Sequence, residues 1–116
     1  MNVKLNQRAF QHAKILIGQK MFVLDKRDDW SEHKPSAEKE NEFLAEHGID
    51  EYQKWFLGID EDEEESDRRR YKFPYGDFEK LHRCGVIAAE VRAAQYEDRE
   101  IEVAAAHLHG ALNALM

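Results

Sequence analysis

The fold is decided by the stretch Asp77 to Met116, DFEKLHRCGVIAAEVRAAQYEDREIEVAAAHLHGALNALM. Asp77 is a good N-cap, so a helix is predicted from there through about Tyr96. Its face reads Leu81, Cys84/Gly85, Ala88, Val91 or Arg92, and Gln95. Small residues dominate that face and let a second helix approach closely. Asp98 begins another helix, with Ile101, Ala104/Ala105, Leu108, Leu112 and Leu115 as an apolar stripe at helical spacing. Two such helices joined by a short turn predict an antiparallel hairpin.

Upstream, Ala9, Phe10, Ala13, Leu16 and Ile17 recur at three- and four-residue spacing between a capping Asn6 and a terminating Gly18. Met21 to Leu24 is a short apolar run. With no second strand evident to pair it, it is read as an extended packing segment. Ser36 caps a helix from Ala37 to His47, and Gly48 stops it. Asp50 with Gln53 is a capping-box pattern for a short helix, Glu51 to Leu57. Asp60 to Glu65 are six consecutive acids, followed by Arg68, Arg69, Arg70 and Lys72. Like charges this dense stay solvated, so residues 60–70 read as a mobile charged loop. The expectation is therefore one all-α domain over residues 1–116, with four or five helices and a possible extended segment at 21–24.

The chain has 116 residues, which is one domain's worth. Lys and Arg number 17 against 24 Asp and Glu, a net charge of −7. That balance opposes general nucleic-acid binding, which needs a basic face. The single cysteine, Cys84, has no partner for an internal disulfide, in keeping with a reducing compartment. No apolar run follows the first charges, so no signal peptide is read, and a cytoplasmic location without membrane contact is expected.

Four chemistries are written in the residue types. His82 with Cys84, and His107 with His109, are two-residue pairs of metal-ligating side chains, zinc being the natural ion. Neighbours at i and i+2 point about 200° apart on a helix, so each pair can offer only one ligand inward. Asp60, Asp62 and Glu64 have the alternation of a calcium loop. The turn glycine is missing (Glu65), and Tyr71 stands where the bidentate glutamate belongs. Arg68, Arg69, Arg70 and Lys72 beside Tyr71 and Tyr75 could hold a phosphate and stack a base. Cys84 beside His82 and Arg83 has the neighbours of an activated thiol. No P-loop, dinucleotide fingerprint or nucleophile elbow is present.

Five longer stretches carry a resemblance. Arg70-Tyr71-Lys72-Phe73-Pro74-Tyr75-Gly76-Asp77-Phe78 is continued by His82-Arg83-Cys84-Gly85 and by Ala104-Ala105-Ala106-His107-Leu108-His109-Gly110. Asp28-Asp29-Trp30-Ser31-Glu32-His33 and Trp55-Phe56-Leu57-Gly58-Ile59-Asp60 belong to the same pattern. Together they resemble a family of small uncharacterised bacterial proteins. The resemblance implies a bacterial cytoplasmic protein and implies no activity. The Tyr-Lys-Phe-Pro turn and the Ala-rich helix after it are also similar to an element of phage-associated proteins, which keeps a phage-derived accessory role open.

The aromatic set Trp30, Tyr52, Trp55, Phe56, Phe73, Tyr75 and Phe78 is mostly core, with part available to line a groove. Aromatics with Arg are common interface anchors. The reading from sequence is thus a non-catalytic module that binds a protein partner or forms a homodimer. Its surface would comprise Arg68, Arg69, Arg70, Tyr71, Lys72, Tyr75 and Arg83. The alternative is a metal- or phosphate-ligand-binding protein, with His82, Cys84, His107 and His109 as the metal set. An acidic mimic of nucleic acid would need a rigid patterned face of carboxylates.

Overall fold

The computed structural model describes residues 2–116 and corrects the all-α expectation. The chain is mixed α/β. In order it forms β1 (Val3–Leu5), α1 (Gln7–Gly18), β2 (Phe22–Val23), α2 (Trp30–His33), α3 (Ala37–Tyr52), β3 (Phe56–Asp60), β4 (Tyr71–Pro74), β5 (Leu81–His82), α4 (Arg83–Gln95) and α5 (Arg99–Asn113). Short 3-10 turns at Arg27–Asp29, Gln53–Trp55 and Arg68–Arg70 link them.

Two sheets account for the difference. In the first, β3 is central and pairs antiparallel with β1 and with β4. The segment Phe56-Leu57-Gly58-Ile59-Asp60 is apolar without helical periodicity, and Phe56 and Leu57 are both buried. That is the signature of a strand covered on both faces, and a short apolar run does not distinguish it from a buried helical turn. The predicted helix Glu51–Leu57 is accordingly cut at Trp55. Gly58 is required by packing, because a Cβ there would sit 2.7 Å from Cδ2 of Phe73 and 3.1 Å from Cδ1 of Ile101. Pro74 ends β4 on the sheet edge, where its missing N–H does no harm.

The second sheet is the parallel pair β2–β5, in register Phe22↔Leu81 and Val23↔His82. The Met21–Leu24 run therefore does have a partner strand, 57 residues downstream of Leu24 by the Leu81 numbering. Asp77 does not start α4. Its Oδ1 accepts the N–H groups of Glu79 and Lys80, which closes a turn, and the chain then passes through β5 before the helix begins at Arg83.

Other local expectations fare differently. α1 follows Asn6, but the Asn6 side chain does not cap it. It donates to the carbonyls of Gln53 and Phe56, both at 3.0 Å, and ties α1 to the start of β3. Ser36 does cap α3, its Oγ accepting from Lys39 N–H at 3.1 Å. Gly48, with φ +82°, kinks α3 where a stop was expected. Around the acidic run, Asp60 is the buried end of β3, its Oδ1 accepts Asp62 N–H, and Asp67 caps the Arg68–Arg70 turn.

The core lies between the first sheet and the helices. Leu57, Leu81, Ile101, Leu108 and Leu112 are fully buried. Each such side chain contributes about 1.5–3 kcal/mol relative to exposure. Tyr52, Trp55, Phe56 and Phe78 form a ring cluster, with Phe43 stacked on Phe78 at 4.5 Å. α4 and α5, joined by Tyr96 to Asp98, pack more extensively on each other than any other two elements. No helix among the described residues is long and apolar enough to cross a membrane.

Candidate metal centre

The β2–β5 pairing sets the site. Because Val23 lies beside His82, the residues that follow both strands also lie side by side. Asp25 thereby meets the first turn of α4. Its Oδ1 accepts the Cys84 backbone N–H at 2.8 Å, so a carboxylate supplied from a distant segment caps the helix. Arg83 locks this arrangement, donating to the Asp25 carbonyl (3.1 Å) and to Asn113 Oδ1 at the end of α5 (2.9 Å). The Arg27–Asp29 turn and α2 then carry the chain back so that His33 faces the same carboxylate.

Three further groups converge on the second oxygen, Asp25 Oδ2. They are His33 Nδ1 at 2.7 Å, His82 Nδ1 at 2.7 Å and Cys84 Sγ at 3.1 Å. The four potential ligand atoms of Asp25, His33, His82 and Cys84 all lie within 4.8 Å of one another. The Asp25 side chain is 5% exposed, His82 9% and His33 36%, so the cluster is buried with one imidazole at its mouth.

Gly85 makes the approach possible. A Cβ there would lie 2.7 Å from the Tyr75 carbonyl oxygen and 2.9 Å from the Trp30 ring. The first turn of α4 is thus pressed against Tyr75 and Trp30, which positions Cys84. The Trp30 ring in turn lies 6.2 Å from that of His82, and the rings of His33 and His82 are 5.4 Å apart.

The opposite nitrogen of His82, Nε2, lies 2.9 Å from Asp77 Oδ2. A carboxylate on the far nitrogen fixes the ring and, in the neutral tautomer, leaves Nδ1 with its lone pair aimed at Asp25 and Cys84. Two lone pairs then meet at 2.7 Å unless His82 carries a second proton. A metal ion relieves the same repulsion by holding the two atoms about 3.3 Å apart as ligands.

The titration directions follow. Burial raises the Asp25 carboxyl, but the Cys84 N–H, His82, the Cys84 thiol and His33 together hold it at about 2. Burial lowers His82, yet its hydrogen bonds to Asp77 and Asp25 outweigh this and raise it above its ordinary 6.5. Asp77 is lowered, burial being outweighed by His82 and the Lys80 and Glu79 amides. Burial, followed by the Asp25 carboxylate, drives the Cys84 thiol far above its ordinary value.

That last direction argues against Cys84 as a nucleophile, since the thiolate is the reactive form. At His33, Asp25 Oδ2 and Cys84 Sγ both lie beside the same nitrogen, at 2.7 and 3.7 Å from Nδ1, so that ring has no acid on the nitrogen remote from sulfur.

Of the metal set read from sequence, His82 and Cys84 come together because their segment begins as strand and only then turns helical. His107 and His109 lie elsewhere. His107 packs edge-on against Phe10, with ring centroids 5.8 Å apart, and His109 bonds Glu90 at 2.8 Å. Asp25 and His33 were not anticipated. The Asp28-Asp29-Trp30-Ser31-Glu32-His33 motif was the available signal, but nothing local brings it to residue 82.

The interaction surface read from sequence is divided by the fold. Arg68, Arg69, Tyr71 and Lys72 line one groove, and Arg70 an adjacent depression. Tyr75 is fully buried, donating its hydroxyl to the Lys54 carbonyl at 2.7 Å. Arg83 belongs to the Asp25 cluster.

No protein-family model, curated protein or solved structure matches the chain.

Proposed function

We propose that this protein is a metal-binding module that holds one zinc-class ion with Asp25 Oδ2, His33 Nδ1, His82 Nδ1 and Cys84 Sγ. The observation that carries this reading is the convergence of three potential ligand atoms on Asp25 Oδ2 while Asp77 holds the far nitrogen of His82. Oδ1 is already occupied by the Cys84 amide, so all three crowd the one remaining oxygen. A central cation turns that crowding into coordination.

The donor set selects the ion. One sulfur, two imidazole nitrogens and one carboxylate oxygen suit a borderline ion in tetrahedral geometry and not magnesium or calcium, which take oxygen donors. Bonds of about 2.0–2.3 Å to a central zinc separate tetrahedral donors by about 3.3–3.8 Å, so the observed spacing needs only small side-chain adjustments. Four protein ligands leave no open position, so the role is structural: the ion clips the 25–33 segment to the β5–α4 junction. Asp25 serves twice, Oδ1 as the cap of α4 and Oδ2 as ligand. The module works by binding, and the ion maintains its shape.

Protein produced without a histidine tag and isolated without chelator is expected to carry about one zinc per chain by elemental analysis. Cys84→Ser should carry little. Wild-type protein that stays free of zinc, copper, iron, cobalt and nickel after exposure to each would refute the reading.

A further inference from the structure

A second concave feature shares no lining residue with the His–Cys cluster. A groove of about 420 Å³ runs along the free edge of β4, between the start of α3 and the end of α4. That size falls within the range of small-molecule clefts, about 300–1,000 Å³.

Its charge is opposite to that of the protein. The chain carries −7 overall, yet five cationic side chains line this groove with one acid, Glu40. Arg68 bonds Glu40 at 3.1 Å, Lys34 also acts on Glu40, and Arg69 is engaged by Asp67 and Glu63. Lys72 and Arg92 remain. Neither side chain has a hydrogen bond or ion pair among the described residues. Two unmatched cations facing one groove complement a dianion.

The walls are aromatic. Tyr71 and Phe73 come from β4, and Tyr96, 57% exposed, stands at the end of α4. Phe73 has φ +63°, an unfavourable backbone conformation for a residue with a side chain. Strain of this kind concentrates at ligand sites. Its ring lies over Gly58, where no Cβ intervenes.

From these features we infer that the groove binds a small phosphate ester bearing a planar ring, the chemistry of a nucleoside monophosphate. Lys72 and Arg92 take the phosphate, and the exposed face of Tyr96 stacks the ring. The groove is short and the rest of the surface acidic, which favours a mononucleotide over a strand of nucleic acid.

The test is calorimetric titration at low salt with adenosine monophosphate, adenosine, inorganic phosphate and a single-stranded oligonucleotide. Adenosine monophosphate should saturate one site with a Kd below about 1 mM, and adenosine and phosphate should each bind at least about tenfold more weakly. The K72A/R92A double variant should lose about tenfold or more with an unchanged circular-dichroism spectrum, since Arg92 is exposed and Lys72 only half-buried. Y96A should weaken the nucleotide and leave phosphate unaffected. The inference is overturned if adenosine monophosphate fails to saturate at about 10 mM, if phosphate binds as tightly as the nucleotide, or if the variants bind like wild type. It is equally overturned if affinity grows with oligonucleotide length, which would make the groove a nucleic-acid surface. None of these outcomes bears on the metal site.

Discussion

His82 joins two carboxylates through one ring: Nδ1 lies 2.7 Å from Asp25 and Nε2 2.9 Å from Asp77. The two acids come from separate segments of the chain, Asp25 after β2 and Asp77 before β5. The imidazole is therefore oriented by the fold before any ligand arrives.

Asp77 tests that orientation. Asp77→Asn keeps an oxygen for the turn amides of Glu79 and Lys80 but removes the charge that polarises His82. Zinc affinity should fall about 10–100-fold while the far-ultraviolet circular dichroism holds. Competition against a chelating dye measures the loss. An unchanged affinity would mean that Asp77 serves the turn alone.

The metal-free protein should have a stability optimum in mildly acid solution. Asp25 is depressed to about 2 from 3.8, so its contribution is complete above the ordinary carboxylate range and disappears as pH falls through 2. His82 is raised, so its contribution is complete below 6.5 and is lost as pH rises through its folded value. Chemical denaturation in chelator should therefore give highest stability between pH 4 and 6.5, the window bounded by these two groups. Zinc takes the place of the His82 proton, so the loaded protein should hold its stability to higher pH.

Gly85→Ala probes the close approach behind Cys84. A methyl group 2.7 Å from the Tyr75 carbonyl forces α4 away from Trp30 and Tyr75. A loss of about 1–3 kcal/mol is expected, together with weaker zinc binding, because Cys84 moves with the helix. Gly110→Ala is the control, since a Cβ there has nothing within 4 Å and should be tolerated.

The sequence is informative where side chains act on their own backbone. Ser36 caps the helix that follows it, and Ile101, Ala105, Leu108 and Leu112 are buried along α5 as their spacing requires. It fails where a residue's partner is remote. Asn6 resembles a cap and instead bonds carbonyls at positions 53 and 56. Phe22 and Val23 look unpartnered because parallel strands can be joined only by a long crossover. The same remoteness hid half of the candidate site. His82 and Cys84 alternate as ligands must on a strand leading into a helix, whereas Asp25 and His33 reach them only through the β2–β5 register. On a helix continuous from Asp77, His82 and Cys84 would fall on different faces, and only the strand at Leu81–His82 brings them together.

Cobalt titration probes the proposed coordination itself, because the spectrum reports ligand type and geometry together. Metal-free, reduced protein titrated with Co²⁺ should develop sulfur-to-metal charge-transfer absorption in the near ultraviolet and intense tetrahedral bands in the visible, saturating at about one ion per chain. Zinc should bleach both, and Cys84→Ser should lack the charge-transfer band. A titration that yields only the weak visible absorption of hydrated cobalt, with wild type and Cys84→Ser superimposable, would contradict the account.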